Sequence, residues 1–251
     1  MRRLGILCGL ALLLGACGAG SGPAESSLPA PSPTFAVAGP DPTPGTLERH
    51  VGASLVVAAT TDRFRIFGTP SSRTGRWYTG VNDWDQPLWL PVVAQRDVGG
   101  ELWFDVLLPE RPNGSTGWVR ARDVTMSTVQ DRIVISLHRH TLVRYQDGRP
   151  VQHAGVAVGK AATPTTPGRF FVWARVGYSD VEGPYGNYAL GLSGFSRVIR
   201  DWPGGGRMAI HGTADPTIAG ENVSNGCIRV FNPLMAKLID VPMGTPVTIR
   251  P

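Results

Sequence analysis

Residues 209–230 read AIHGTADPTIAGENVSNGCIRV. Two apolar runs, Ala209-Ile210 and Cys227-Ile228-Arg229-Val230, flank a polar loop, and each reads as a short strand. If the two strands run side by side, the loop brings His211 and Cys227 together. That pairing has a chemical use. A free thiol has a pKa of about 8.5, and only its thiolate is strongly nucleophilic. An adjacent imidazole can take the proton and hold the thiolate as an ion pair. Gly226 leaves the backbone beside the thiol uncrowded, so amide N–H groups there are expected to face a developing oxyanion. A core histidine and a buried thiol would leave the same letters, so the pair alone is a weak sign of chemistry.

The flanking text is β-rich. Residues 132–138 (RIVISLH) alternate, with Ile133, Ile135 and Leu137 on one face. Asp147-Gly148 separates two further strand-like runs, a hairpin signature. One helix is expected from Asn232 as N-cap and Pro233 at the first helical position, through Ile239 and ending before Pro242. Residues 246–250 (PVTIR) read as a closing strand, and Gly204-Gly205-Gly206-Arg207 as a turn before the His211 strand.

The pair HGT and SNGCIRV resembles the catalytic motif of the L,D-transpeptidase (YkuD-type) family: His-Gly, a spacer of this length, then Ser/Thr-His-Gly-Cys-hydrophobic-Arg/Asn. Other segments resemble the family in order: the hairpin RIVISLHRHTLVRYQDGRPV, the stretch Val158-Gly159-Lys160 with Thr163-Pro164-Thr165-Thr166-Pro167-Gly168-Arg169-Phe170, and the aromatic segment GPYGNYAL at 183–190. The resemblance covers residues 130–251 and implies a β-sandwich-like catalytic domain with one short helix. It implies Cys227 as nucleophile, His211 as general base and then acid, and Gly212 as the carbonyl that orients the imidazole. Gly226, Ser224 and Asn225 would border the oxyanion and substrate site, Arg229 would meet a substrate carboxylate, and Tyr188, in preference to Tyr185, would touch the acyl group. Asn225 departs from the family, which usually has His there; asparagine hydrogen-bonds but does not titrate. The implied activity is peptidoglycan 3→3 cross-linking between stem peptides, through a thioester and with loss of D-alanine. No metal or organic cofactor is implied, and carbapenem sensitivity is.

Residues 48–128 also read as β. Strand-like runs at 87–97 and 101–108 flank Gly99-Gly100, and Pro112-Asn113-Gly114 marks another turn. The segment WFDVLLPERPNGSTGWVRARDV resembles a bacterial SH3-like small barrel, a type of domain that often binds wall peptides. Trp77, Trp84, Trp89, Trp103 and Trp118 would serve either its core or a peptide groove.

Residues 1–16 (MRRLGILCGLALLLGA) have a basic start and an apolar run too short to span a bilayer, the pattern of a secretory signal. Leu14-Gly15-Ala16-Cys17 resembles a lipobox, making Cys17 a lipidated first residue that holds the protein at a membrane beside the cell wall. Residues 17–47 are rich in Pro, Gly, Ser and Ala and read as a tether. With Cys8 in the signal and Cys17 acylated, Cys227 is left without a disulfide partner.

Composition bounds these readings. The 251 residues include 32 Gly and 22 Pro, which argues against an all-α fold. Hydrophobic residues make up 42% and charged residues 17%, enough apolar text for a core. Removing Arg2 and Arg3 from the 24 basic residues leaves 22 against 19 acidic, a charge of +3 without clustering, which gives no support to nucleic-acid binding. His138 and His140 form a His-x-His pair with no third ligand at metal-binding spacing. On the same fold, water as acceptor would make an L,D-carboxypeptidase, and a protein amine would make a wall-anchoring acyltransferase. A catalytically silent lipoprotein that binds wall peptides is the non-enzymatic alternative. A papain-like endopeptidase has Cys before His, the reverse of the order here.

Overall fold

The computed structural model describes residues 53–251. The signal, Cys17 and tether expected over residues 1–47 lie outside the described residues. Among the described residues the fold is mainly β, with one α-helix of four residues.

The N-terminal half contributes β1 (Ser54–Ala59), β2 (Arg63–Ile66), β3 (Arg76–Thr79), β4 (Leu90–Val98), β5 (Glu101–Leu107), β6 (Thr116–Arg120) and β7 (Val124–Val129). Five of them form an antiparallel sheet in the order β6-β5-β4-β1-β7, and β2 pairs with β3. Gly99 and Gly100 close the β4–β5 hairpin with φ of 65° and 81°, the left-handed backbone that a two-residue turn requires.

The C-terminal half contributes β8 (Asp131–Ser136), β9 (Thr141–Gln146), β10 (Arg149–Gly159), β11 (Gly168–Gly177), β12 (Tyr188–Phe195), β13 (Arg207–Thr213), β14 (Asn222–Ser224), β15 (Ile228–Phe231), α1 (Asn232–Met235) and β16 (Pro246–Arg250). The strand order is β14-β10-β15-β13-β12-β11-β16-β8-β9, and β10 also pairs with β9, so the sheet closes on itself like a barrel. The two longest strands make the corners. β10 pairs with β9 through Gly155 and with β15 from Val156, while β11 pairs with β16 through Phe171 and with β12 from Val172. A register shift between Val172 and Ala174 bends β11 at its corner. Ile133, Ile135, Leu142, Val156, Leu190, Ile210 and Ile228 fill the interior. Arg144 ties the barrel together from β9. It donates to Asp131 of β8 at 2.5 Å and to Asp240 and the Lys237 carbonyl beyond α1 at 2.7 and 3.0 Å.

β11 is buried on both faces, as the unbroken apolar run FFVWA at 170–174 permits. Phe170 and Val172 enter the barrel core, whereas Phe171, Trp173 and Ala174 complete a second core with Phe64, Leu88, Leu90, Phe104 and Val119 of the N-terminal sheet. The two halves therefore share a hydrophobic core across β11. A polar latch reinforces it. The Asn82 amide donates to the Trp173 carbonyl at 2.8 Å and Gln86 Nε2 to the Arg175 carbonyl at 2.7 Å, while Gln86 Oε1 accepts from Arg175 N at 3.0 Å.

The expected helix is shorter and differently capped. After α1 a single 3-10 turn, Ala236–Leu238, completes it, and the N-cap position is Phe231, with no side-chain cap. Asn232 is drawn away from capping by the neighbouring loop: its Nδ2 donates to the Val181 carbonyl at 2.9 Å and its Oδ1 accepts from Asn187 N at 3.2 Å.

Candidate active site

Register places His211 and Cys227 on one face of the sheet. β13 and β15 run parallel with Ile210 opposite Ile228 and His211 opposite Arg229. Ile210, Ile228 and Val230 point into the barrel and are fully buried. Because side chains alternate along a strand, Ala209, His211 and Arg229 share the outer face, with Cys227 at the entrance to β15 on the same side. Next to them on that face are Ala189 and Gly191 of β12 and Ala174 and Val176 of β11. These small side chains give the sheet a shallow floor. Above it opens a cavity of about 510 Å³, lined in part by Cys227, His211, Arg229, Tyr178 and Tyr185.

His211 is buried at 3% exposure, and its Nδ1 donates to the Gly212 carbonyl at 2.9 Å. A carbonyl only accepts, so Nδ1 carries the proton and Nε2 is left as a base. This hydrogen bond is the contact by which the resemblance expects Gly212 to orient the imidazole. Its own position is set by a polar knot. A Cβ there would stand 2.7 Å from Asn187 Oδ1, and a Cβ on Gly186 would strike the Gly212 backbone and Asn232. Glycine at both sites lets the 183–187 loop lie directly on β13.

Cys227 is partly exposed and in no disulfide. Ser224 is fully buried beside it. Its hydroxyl donates to the Cys227 carbonyl at 2.6 Å and accepts from Gly226 N at 3.0 Å. The Gly226 amide is therefore spent on Ser224 and does not face an oxyanion, contrary to the sequence expectation. What the glycine supplies is conformation, a φ of 111° that the tight Ser224–Cys227 turn needs. Asn225 stands at the cavity wall, where its Oδ1 accepts from the Thr163 hydroxyl at 3.4 Å. Thr163 also donates to the Ser224 carbonyl at 3.2 Å, so the 160–165 loop braces the cysteine turn from behind.

Burial acts on both side chains in the same sense, against their charged forms. It pushes His211 down to about 4, with the positive charge of Arg229 adding to the shift and the Gly212 carbonyl opposing it. It pushes the Cys227 thiol up, against a backbone hydrogen bond with Ala209 and the charge of Arg229. The resting pair is thus neutral thiol and neutral imidazole, in place of the ion pair expected from the sequence. Arg229 Nε is buried without a hydrogen-bond partner, and no carboxylate lies within ion-pair distance of its guanidinium among the described residues.

Tyr188 is not at the cavity. It begins β12 on the inward parity opposite to Ala189, packs against the barrel core, and its hydroxyl accepts from Arg175 Nε at 3.1 Å. Tyr185 lines the cavity instead: its ring meets His211 edge-on with centroids 5.2 Å apart and stacks on Tyr178 at 5.3 Å. Burial and the nearby Cys227 raise the phenol pKa of Tyr178 to about 12 and that of Tyr185 in the same direction. Sequence reading did not single out Tyr178 or Asn187 for the site, and it read Asn232 only as a helix cap; of the three, only Asn187 lies in the GPYGNYAL segment.

Known proteins resemble the C-terminal half of the chain. Residues 130–249 match the family model described as the L,D-transpeptidase catalytic domain, YkuD. A Bacillus licheniformis protein named for the L,D-transpeptidase YkuD is 38% identical over 125 residues, 49% of this chain and 68% of that relative. Its Bacillus subtilis counterpart is 31% identical over 151 residues, 57% of this chain and 84% of the relative. The solved catalytic domain of the Enterococcus faecium L,D-transpeptidase is 25% identical, aligns with 47% of this chain and 95% of its own, and has a TM-score of 0.37. With the family's motif in order around Cys227 and His211, and with these relatives matched over two thirds or more of their own length, the chain belongs to the L,D-transpeptidase (YkuD) catalytic-domain family.

Proposed function

We propose that the protein is a peptidoglycan L,D-transpeptidase that forms 3→3 cross-links. The observation that carries this reading is the shared cavity of Cys227 and His211, with the imidazole tautomer fixed so that Nε2 is the base. The Cys227 sulfur attacks the carbonyl of the third residue in a stem tetrapeptide as its proton passes to His211 Nε2. The oxyanion is held by the Cys227 amide. The C–N bond breaks, His211 returns the proton to the departing D-alanine, and a thioester remains on Cys227. A side-chain amine of a neighbouring stem then attacks the thioester. His211 accepts its proton and gives it back to sulfur, releasing the cross-linked product and the free thiol. Because burial disfavours charge on either partner, the proton moves with the attack rather than before it. The unpaired guanidinium of Arg229 suits a substrate carboxylate. The same thiol would be acylated by the strained carbonyl of a carbapenem.

The rest of the reading follows from the sequence. The catalytic domain over residues 130–251 follows an SH3-like module over 48–128, and Cys17 carries the lipid that keeps both beside the wall. The test is incubation of the purified protein with a defined disaccharide-tetrapeptide, beside Cys227→Ala, with products read by mass spectrometry. D-alanine loss with a dimer, absent from the variant, is expected. Tripeptide without dimer would instead assign a carboxypeptidase, and no turnover would overturn the catalytic reading.

A further inference from the structure

The cavity over Cys227 does not stop at the catalytic pair. Its far end is lined by Trp84, Asp83, Trp173, Trp202 and Arg207. Two of these indoles are open to solvent: Trp84 is 41% exposed and Trp202 51%. Large exposed aromatic rings in a concave wall mark a binding surface. Trp84 comes from the N-terminal half, and its place is built. Asn82 Oδ1 accepts from Trp84 N at 2.9 Å and from Gln86 N at 3.1 Å, while the same amide group is latched to the Trp173 carbonyl. The Trp84 ring then meets Trp173 edge-on, centroids 5.4 Å apart. Trp173 is backed in turn by Arg207, whose guanidinium lies 3.7 Å over its ring and donates to the Leu192 and Pro109 carbonyls. The arginine is thus committed to the protein, and Asp83, an exposed residue whose charge Arg207 also feels, supplies a carboxylate at this end.

We propose that this aromatic end is a saccharide subsite, so that the N-terminal half contributes directly to substrate recognition. The proposal rests on the peptidoglycan reading above, in which every stem peptide is attached to a sugar. The chemistry fits a pyranose better than a second peptide. A pyranose presents an apolar C–H face that packs on indole and a rim of hydroxyls that donate to a carboxylate such as Asp83. Indole is rigid and loses little entropy in doing so. The charged groups of a stem peptide would find their partner at the other end, at Arg229. The two ends lie in one continuous cavity, as the covalent linkage of sugar to stem requires.

The test compares kcat/KM for a disaccharide-tetrapeptide and for the free tetrapeptide. The wild-type protein is expected to prefer the glycosylated substrate by about tenfold or more. Trp84→Ala and, independently, Trp202→Ala should collapse that ratio toward one. Trp77→Ala, an exposed indole of β3 outside the cavity, should keep it. An equal fall for both substrates would overturn the saccharide assignment, as would an unchanged ratio in both cavity variants. A second arm needs no turnover: tryptophan fluorescence of Cys227→Ala titrated with the reduced disaccharide alone. Saturable quenching that disappears with Trp84→Ala supports the subsite even if the protein turns over neither substrate. Its absence overturns the subsite even if the transpeptidase assay succeeds.

Discussion

His211 should titrate near 4, and this consequence of its burial is open to direct measurement. The ordinary value is 6.5, and burial under Tyr185 together with the positive charge of Arg229 lowers it to about 4. In the unfolded chain the imidazole binds its proton as pH falls through 6.5, whereas the folded protein refuses it until about 4. Between those values the unfolded state binds more protons, so stability falls with falling pH and levels off below about 4. At about 1.4 kcal/mol per pH unit, the full effect is about 3 kcal/mol. Carboxylates contribute their own acid dependence, so the measurement is a difference: urea unfolding of the wild type and of His211→Gln at pH 7 and pH 4.5. The wild type should lose about 2–3 kcal/mol more than the variant over that interval. The acid limb of kcat/KM should fall near pH 4, and opening the site with Tyr185→Ala should move it toward 6.5. Equal pH dependence of stability in wild type and variant would refute the reasoning, as would an acid limb near 6.5.

Other outcomes follow from the packing. Phe171 is fully buried in the core shared by the two halves, so Phe171→Ala should cost about 3–5 kcal/mol. That loss should appear as a shift of one urea transition monitored by near-ultraviolet dichroism, with separate transitions of the halves counting against a common core. Ser224→Ala removes the hydroxyl bonded to Gly226 N and to the Cys227 carbonyl. It should lower kcat/KM about tenfold or more while urea stability falls by only about 1–3 kcal/mol. Arg144→Ala strands the buried Asp131 carboxylate, 5% exposed, and should cost about 3–5 kcal/mol in equilibrium unfolding.

The shared core bears on how the chain is used. An N-terminal domain joined to a catalytic domain through a flexible linker could only tether it. Here the latch of Asn82 and Gln86 onto β11 and the burial of Phe171 and Trp173 among N-terminal residues fix Trp84 at the rim of the cavity that holds Cys227. The position of an N-terminal side chain is then part of the geometry of that cavity.

Local patterns determined much of this protein. The period-two alternation of RIVISLH set one wall of the barrel, and the Gly99-Gly100 and Asp147-Gly148 pairs set two hairpins, because each depends on neighbours within a strand or turn. Only tertiary structure decided the remainder. Tyr185 rather than Tyr188 reaches the imidazole because strand parity turns Tyr188 into the barrel while the preceding loop folds back over β13. Asn232 gives up the helix cap because the loop at 181–187, distant in sequence, competes for its amide. The Gly226 amide is taken by Ser224, and the pKa values of His211 and Cys227 are set by burial, a sum over atoms from several strands. Such effects have no period and no fixed spacing along the chain. They arise where segments meet, and a linear sequence does not display that meeting.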